Sequence, residues 1–399
     1  MLSIIARRCL CLWLTFIVVA LTTPRAWAAD IELSSTSELI IQSPLDYQVI
    51  QRENRTEGKL VVAGTIRLRA KGTLPDALEV RLIGRSATGD LPGNWQPLSF
   101  GSGNPSFRSE INIPAGGWYH LEVRALRQGV EMAAASVGHV GMGEVFVIAG
   151  QSNSANYGEE RQTTQTRLVA AFDGTGWQLA NDPQPGAGGT RGSFMPAFGD
   201  AMAMRLGVPI GIVAMGIGST SVREWLPPGT RLARLPTITR NVITNSAGQW
   251  EAAGKIFTKF TDRMKQLGPR GFRAVLWHQG ESDAKQADPE RTLPGDLYRQ
   301  SLEQLIRATR KEAGWEIPWF VAQVSYHSPD DPGSPDLRAG QKALWDAGIA
   351  LEGPDTDTLT GDLREKGGLG VHLSAKGLRE HGRLWAEKVG PWVEERIGP

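Results

Sequence analysis

From residue 141 onward the chain repeats a pattern that few folds satisfy: a short run apolar at nearly every position, a polar cluster, then a stretch of helical period. The runs are 144–149 (EVFVIA), 208–215 (VPIGIVAM), 272–277 (FRAVLW) and 318–324 (PWFVAQV). A strand with one wet face alternates in polarity, so unbroken runs belong to strands covered on both sides. Helical stretches are expected at 196–206, 254–267, 294–313, 337–347 and 374–397. Near residue 300, Leu297, Leu302, Leu305 and Ile306 share one face, leaving Arg299, Glu303, Arg307 and Arg310 to solvent. Strand and helix in alternation predict a parallel sheet with helices on both faces.

Residues 30–140 follow another rule. Segments such as 65–69 (TIRLR), 78–83 (LEVRLI) and 118–124 (WYHLEVR) alternate at period two, separated by Gly, Pro, Asn and Asp clusters. This predicts a small all-β sandwich ahead of an α/β domain spanning 141–399.

The first 28 residues read as a signal peptide. Arg7 and Arg8 precede an uncharged stretch from Cys9 to Leu21, too short for the about 20 residues of a membrane span, and Ala26-Trp27-Ala28 offers a small-x-small cleavage pattern. Cleavage after Ala28 removes both cysteines, so disulfide and thiolate chemistry are not expected. It also removes three arginines and no acid, leaving 40 basic against 42 acidic residues. The expected product is exported, periplasmic or extracellular, with no membrane anchor. That charge balance supplies no field for nucleic acid.

Ligands of an open parallel sheet bind beyond the carboxyl ends of its strands. The four exits are 150–154 (GQSNS), 216–221 (GIGSTS), 278–283 (HQGESD) and 325–327 (SYH). Ser152, two residues beyond a glycine, is a candidate nucleophile, although the second glycine of a nucleophile elbow is missing. Gly218 and Gln279 are candidate oxyanion donors, and Gln151 and Asn153 are placed to meet substrate. Of six histidines, His120, His139 and His381 read as structural, which leaves His278, His327 and His372 as candidate bases.

Four blocks in order resemble the SGNH hydrolase superfamily, and within it the sialate O-acetylesterase-like carbohydrate esterases: 147–153 (VIAGQSN), 218–225 (GSTSVREW), 277–283 (WHQGESD) and 371–377 (VHLSAKG). The resemblance implies a flavodoxin-like three-layer α/β/α hydrolase, without cofactor or metal, acting on O-acetylated sugars. It implies Ser152 as nucleophile, His372 as base, and the Ser152 and Gly218 amides as oxyanion donors. Many relatives carry an Asp three residues before the histidine, where this chain has Leu369. The orienting acid is therefore sought first in Glu281, then Asp283, with Asp362 as an outsider. Relatives often show Gly-Gly-Thr where this chain has Gly218-Ser219-Thr220.

Three alternatives stand beside that reading. His278, Glu281, Asp283 and His372 are acceptable ligands for metal-assisted hydrolysis. An inactive sugar-binding protein would use Trp225, Trp277 and Trp319 as stacking platforms. A lipase or thioesterase is disfavoured by the lack of a long apolar lid segment. Sugar choice is assigned to loops 156–167, 181–192 and 227–248, with Arg161, Arg191 and Arg223 as partners for a sialic carboxylate.

Overall fold

A computed structural model describes residues 37–68, 73–101 and 104–398. The expected signal peptide lies outside the described residues. Among those described, residues 37–127 form only strands, turns and bends. Ser37–Ser43, Glu57–Leu68 and Ser106–Pro114 pair antiparallel as a three-stranded sheet. Ala77–Ile83 and Gly116–Arg127 pair antiparallel next to a long strand, Val130–Gly150. Period-two alternation sends Leu60, Val62 and Ile66 of one sheet, and Leu121, Val123 and Val80 of the other, into one apolar core.

Val130–Gly150 is a single strand of 21 residues, crossing the 140/141 boundary read from the sequence. Its partners change along its length. Up to Met142 it pairs antiparallel with Gly116–Arg127, and from Glu144 it pairs parallel with Ile210–Ala214. Glycines permit the crossing, since a Cβ on Gly143 would lie 1.9 Å from the Pro209 carbonyl oxygen. Immediately beyond, buried Glu144 accepts from Arg52 Nε at 2.8 Å, from Gln51 Nε2 at 2.8 Å and from Arg273 Nε at 2.7 Å. One carboxylate thus ties the strand-rich part to the base of the parallel sheet.

The parallel strands lie in the order Val169–Phe172, Ile210–Ala214, Val130–Gly150, Ala274–His278, Trp319–Gln323 and Leu351–Asp355, with Trp177–Leu179 antiparallel at one edge. Leaving out Val169–Phe172, the other five follow the 2-1-3-4-5 order of flavodoxin-like doubly wound sheets. Alternate residues face opposite layers. Val147, Val275 and Val321 pack with Phe260, Leu302 and Leu344 from the helices Lys255–Gln266, Gly295–Ala313 and Pro335–Asp346. Phe146, Ile148 and Leu276 pack with Phe198 and Trp385 from Met195–Leu206 and Ala375–Arg396.

All five expected helices occur within two residues of their expected ends. The strands Leu351–Asp355 and Val169–Phe172 were not anticipated. The first has the sequence LEGPD at the sheet edge, where one row of backbone groups goes unpaired and an apolar run is not required. Trp225, Trp277 and Trp319 are fully buried, with rings 5.1 Å and 5.8 Å apart in succession. They are core residues and cannot stack on sugars.

Candidate active site

The Ser152 turn is built at the carboxyl end of the long strand. Gly150 has φ +131°, and a Cβ there would lie 2.0 Å from the His278 carbonyl oxygen, so only glycine brings the two neighbouring strands to this end so closely. The Gln151 amide donates to that same carbonyl at 3.0 Å. Ser152–Ser154 then turns as a short 3-10 helix, closed by Ser154 Oγ donating to the Gln151 carbonyl at 2.7 Å. Neither the Ser152 amide nor the Gly218 amide has an acceptor among the described residues. Gly218 lies against Tyr157, where a Cβ would fall 2.5 Å from the phenol oxygen.

Several contacts seat the His372 loop beside this turn. Asn153 Nδ2 donates to the Val371 carbonyl at 3.2 Å, the Glu159 amide donates to the Leu373 carbonyl at 2.9 Å, and the Tyr157 ring stacks on His372 with centroids 5.6 Å apart. No hydrogen bond joins Ser152 Oγ to His372; bonds of this kind are often long until substrate arrives. Ser374 caps the last helix by accepting from the Gly377 amide.

The partner of His372 is Glu365, which the sequence reading missed. His372 Nδ1 lies 2.9 Å from Glu365 Oε1, and the Glu365 amide donates to the His372 carbonyl at 2.9 Å. An Arg364–Leu373 bridge closes the intervening loop, in which Lys366, Gly367 and Gly368 all take positive φ. A Cβ on Gly370 would lie 2.2 Å from Glu365 Cγ, so glycine leaves room for the acid. Glu365 is buried, and its second oxygen lies 3.4 Å from Arg191 Nη1. Burial lowers the His372 pKa, Glu365 partly restores it, and Arg191 and Lys366 lower it further. Glu365 stands seven residues before His372, where Leu369 had suggested that no local acid existed; Leu369 itself is exposed.

The three expected acids are engaged elsewhere. Asp283 accepts from Ser221 Oγ at 2.6 Å, the Val222 amide at 2.9 Å and Gln279 Nε2 at 2.7 Å, and pairs with buried Arg223 at 3.0 Å. Four partners around a carboxylate with no exposure make a structural anchor. Asp362 pairs with Lys376 at the surface. Glu281 accepts from Asn153 Nδ2 at 2.9 Å, and burial raises its pKa, with Asp357 adding to the rise. It therefore supports the Ser152 turn through Asn153 without touching His372.

Gln279 is also turned away from the expected role. Its amide nitrogen reaches Asp283, Gln151 Oε1 at 3.2 Å and the Thr220 carbonyl at 3.2 Å, so both donor hydrogens are committed. Gln151 Oε1 in turn accepts from the Ser282 amide at 3.0 Å. His278 is buried against Thr356, and burial pushes its pKa down to about 3. His327 bridges Asp331 and the Glu281 carbonyl. The ligand set considered for a metal is thus dispersed, and among the described residues no three His, Cys, Asp or Glu side chains gather as potential ligands. Of the three arginines, Arg223 is buried on Asp283, Arg161 donates to the Thr190 carbonyl, and Arg191 stands half-exposed next to Glu365.

A search among curated proteins finds no significant match. A carbohydrate acetylesterase from Xanthomonas citri shares the fold at TM-score 0.51 and 19% identity, covering 88% of this chain and 76% of that one. A protein of Arabidopsis thaliana aligns at TM-score 0.42 and 18% identity, over 61% of this chain and 96% of that one. The family model described as "Carbohydrate esterase, sialic acid-specific acetylesterase" matches residues 142–390, well over half of the chain and all the elements that carry the site. The chain belongs to this family of carbohydrate esterases, and so to the carboxylic ester hydrolases.

Proposed function

We propose that the protein is an exported serine esterase that removes O-acetyl groups from sugars through a Ser152–His372–Glu365 triad. The observation that carries the reading is the Glu365–His372 hydrogen bond beside the Ser152 turn. A carboxylate only accepts, so the proton on the ring sits at Nδ1 and Nε2 keeps its lone pair. Nε2 takes the Ser152 proton as Oγ attacks the acetyl carbonyl. The Ser152 and Gly218 amides, which have no acceptor among the described residues, receive the oxyanion; one such donor is worth about 3–4 kcal/mol of barrier. Collapse returns the proton to the leaving sugar oxygen, and water repeats the sequence on the acyl-enzyme. The steps call on no cofactor. In this reading the strand-rich part, 37–140, is an accessory sandwich and residues from 141 form the esterase domain.

For the substrate, the reading rests on Arg191. Its half-exposed guanidinium, beside the acid of the triad, offers a carboxylated sugar such as an O-acetylated sialic acid an ion pair that acetylated xylan would not use. Acetate release from O-acetyl sialic acid, acetylxylan and acetylated monosaccharides tests this, with the Arg191→Ala variant expected to lose preference for the acidic sugar. Ser152→Ala should abolish turnover of p-nitrophenyl acetate, by about 10³-fold or more, without lowering the thermal midpoint. Retained turnover in that variant sinks the triad. N-terminal sequencing of the exported protein should begin at Ala29.

A further inference from the structure

A large cavity lies at the opposite end of the parallel sheet from Ser152. Its volume is about 1350 Å³, above the roughly 300–1,000 Å³ usual for small-molecule sites. It is walled by segments that lead into the amino ends of the strands, including 268–273, 315–319 and 348–351, and by residues 48–53 and 59–61 of the strand-rich part. The candidate catalytic residues sit on segments leaving the other ends. A five-residue strand separates the two levels by about 17 Å.

Two features of the walls point to a ligand. Four half-buried indoles, Trp177, Trp315, Trp345 and Trp392, line the space, unlike the tryptophans sealed into the core. The ionic lining is also unbalanced. Arg52 and Arg273 are matched by Glu144, Lys59 by Glu110 and Arg310 by Glu316. Arg108, Arg270 and Arg396 have no carboxylate within ion-pair distance among the described residues, and all three are exposed; Glu53 is the one lining acid left without a cation. Indole faces suit the apolar faces of pyranose rings, and guanidinium groups suit carboxylates.

We propose that this cleft is a non-catalytic binding site for a carboxylate-bearing oligosaccharide segment, separate from the site that cleaves the ester. A volume beyond that of a single small molecule fits several linked sugars. The proposal does not depend on esterase activity, because binding is read in a chain that cannot turn over.

The test uses the full chain carrying Ser152→Ala, titrated calorimetrically with oligogalacturonate and with xylohexaose at low and at physiological salt. Oligogalacturonate is expected to bind at least tenfold more tightly than xylohexaose, with the difference shrinking as salt rises. The double substitution Arg108→Glu and Arg270→Glu, both at exposed positions, should weaken oligogalacturonate at least tenfold. Trp345→Ala should weaken it as well. In the chain with Ser152 intact, the charge reversals should leave kcat/KM for p-nitrophenyl acetate within twofold, which reports a preserved fold. Absence of oligogalacturonate binding, equal binding of the neutral sugar, or binding untouched by the charge reversals overturns the proposal. So does a concentration-dependent dimer that these substitutions dissolve, which would give the cleft to a second copy of the chain.

Discussion

At the scale of single residues, the acid hydrogen-bonded to His372 was the least readable part of the site. Glu281 and Asp283 stand in a motif-like block and draw attention, but their carboxylates are used by Asn153 and by Arg223 with Ser221. Glu365 belongs to no block, and only the bridge between Arg364 and Leu373 brings it opposite His372. Glu365→Gln should lower kcat by about 10³-fold or more, since an amide no longer fixes the ring tautomer. Asp283→Asn should act mainly on stability, by leaving buried Arg223 short of its counter-charge. A chemical-denaturation curve and a kcat measurement on each variant separate the two effects. The pH profile gives a further check. Burial holds the His372 pKa below its ordinary value of about 6.5. The acid limb of kcat/KM should therefore lie below pH 6.5, with a plateau at neutrality where the base is free. Glu365→Gln should move that limb to still lower pH, because the Glu365 charge is what supports protonation.

At the scale of elements, the helices and the four apolar strands were readable because each signals its partners by its own period. The loop 365–372 carries no period. Its shape comes from three successive positive-φ residues and from Gly370 making room for Glu365. Gly370→Ala should push the acid away from His372 and cost about 10- to 100-fold in kcat, the scale expected of misplacement by an ångström. Its melting temperature should move little, as the loop adds few apolar contacts to the core. Equal kcat in variant and parent would show that the Glu365 position does not matter. Ser219 shows the converse. It holds φ +59°, a left-handed conformation that favours glycine, without being one.

At the scale of the whole molecule, stability depends on buried polar groups that no local pattern announces. Glu144 joins Arg52 and Arg273 where the long strand changes partners. Glu144→Gln should destabilise by about 3–5 kcal/mol, read from urea denaturation, because two guanidinium groups lose their shared counter-charge. His278 and His381 make a second case. Both are buried and neutral, with His278 pushed down to about 3 and His381 well below the ordinary value, each by burial. The unfolded chain binds these protons near pH 6.5, so the stability they contribute is fully present above that pH and is lost as pH falls below it, in the case of His278 toward 3. Between pH 6.5 and 5 His278 should cost about 2 kcal/mol. A His278→Asn variant should show a shallower decline in urea midpoint over that range.

The order of apolar runs and helical stretches was enough to specify a doubly wound sheet, and the polar clusters at strand exits pointed to Ser152, while His372 was one of three candidate bases that only the family resemblance told apart. The sheet and Ser152 follow from local rules: the period of a strand buried on two faces, and the geometry that puts strand exits along one edge. Which carboxylate faces His372, which tryptophans are core and which line a cleft, and whether a strand ends at residue 140 or continues to Gly150 were decided in three dimensions. Each depends on a partner far away in the chain, and a residue's own neighbours carry no record of that partner.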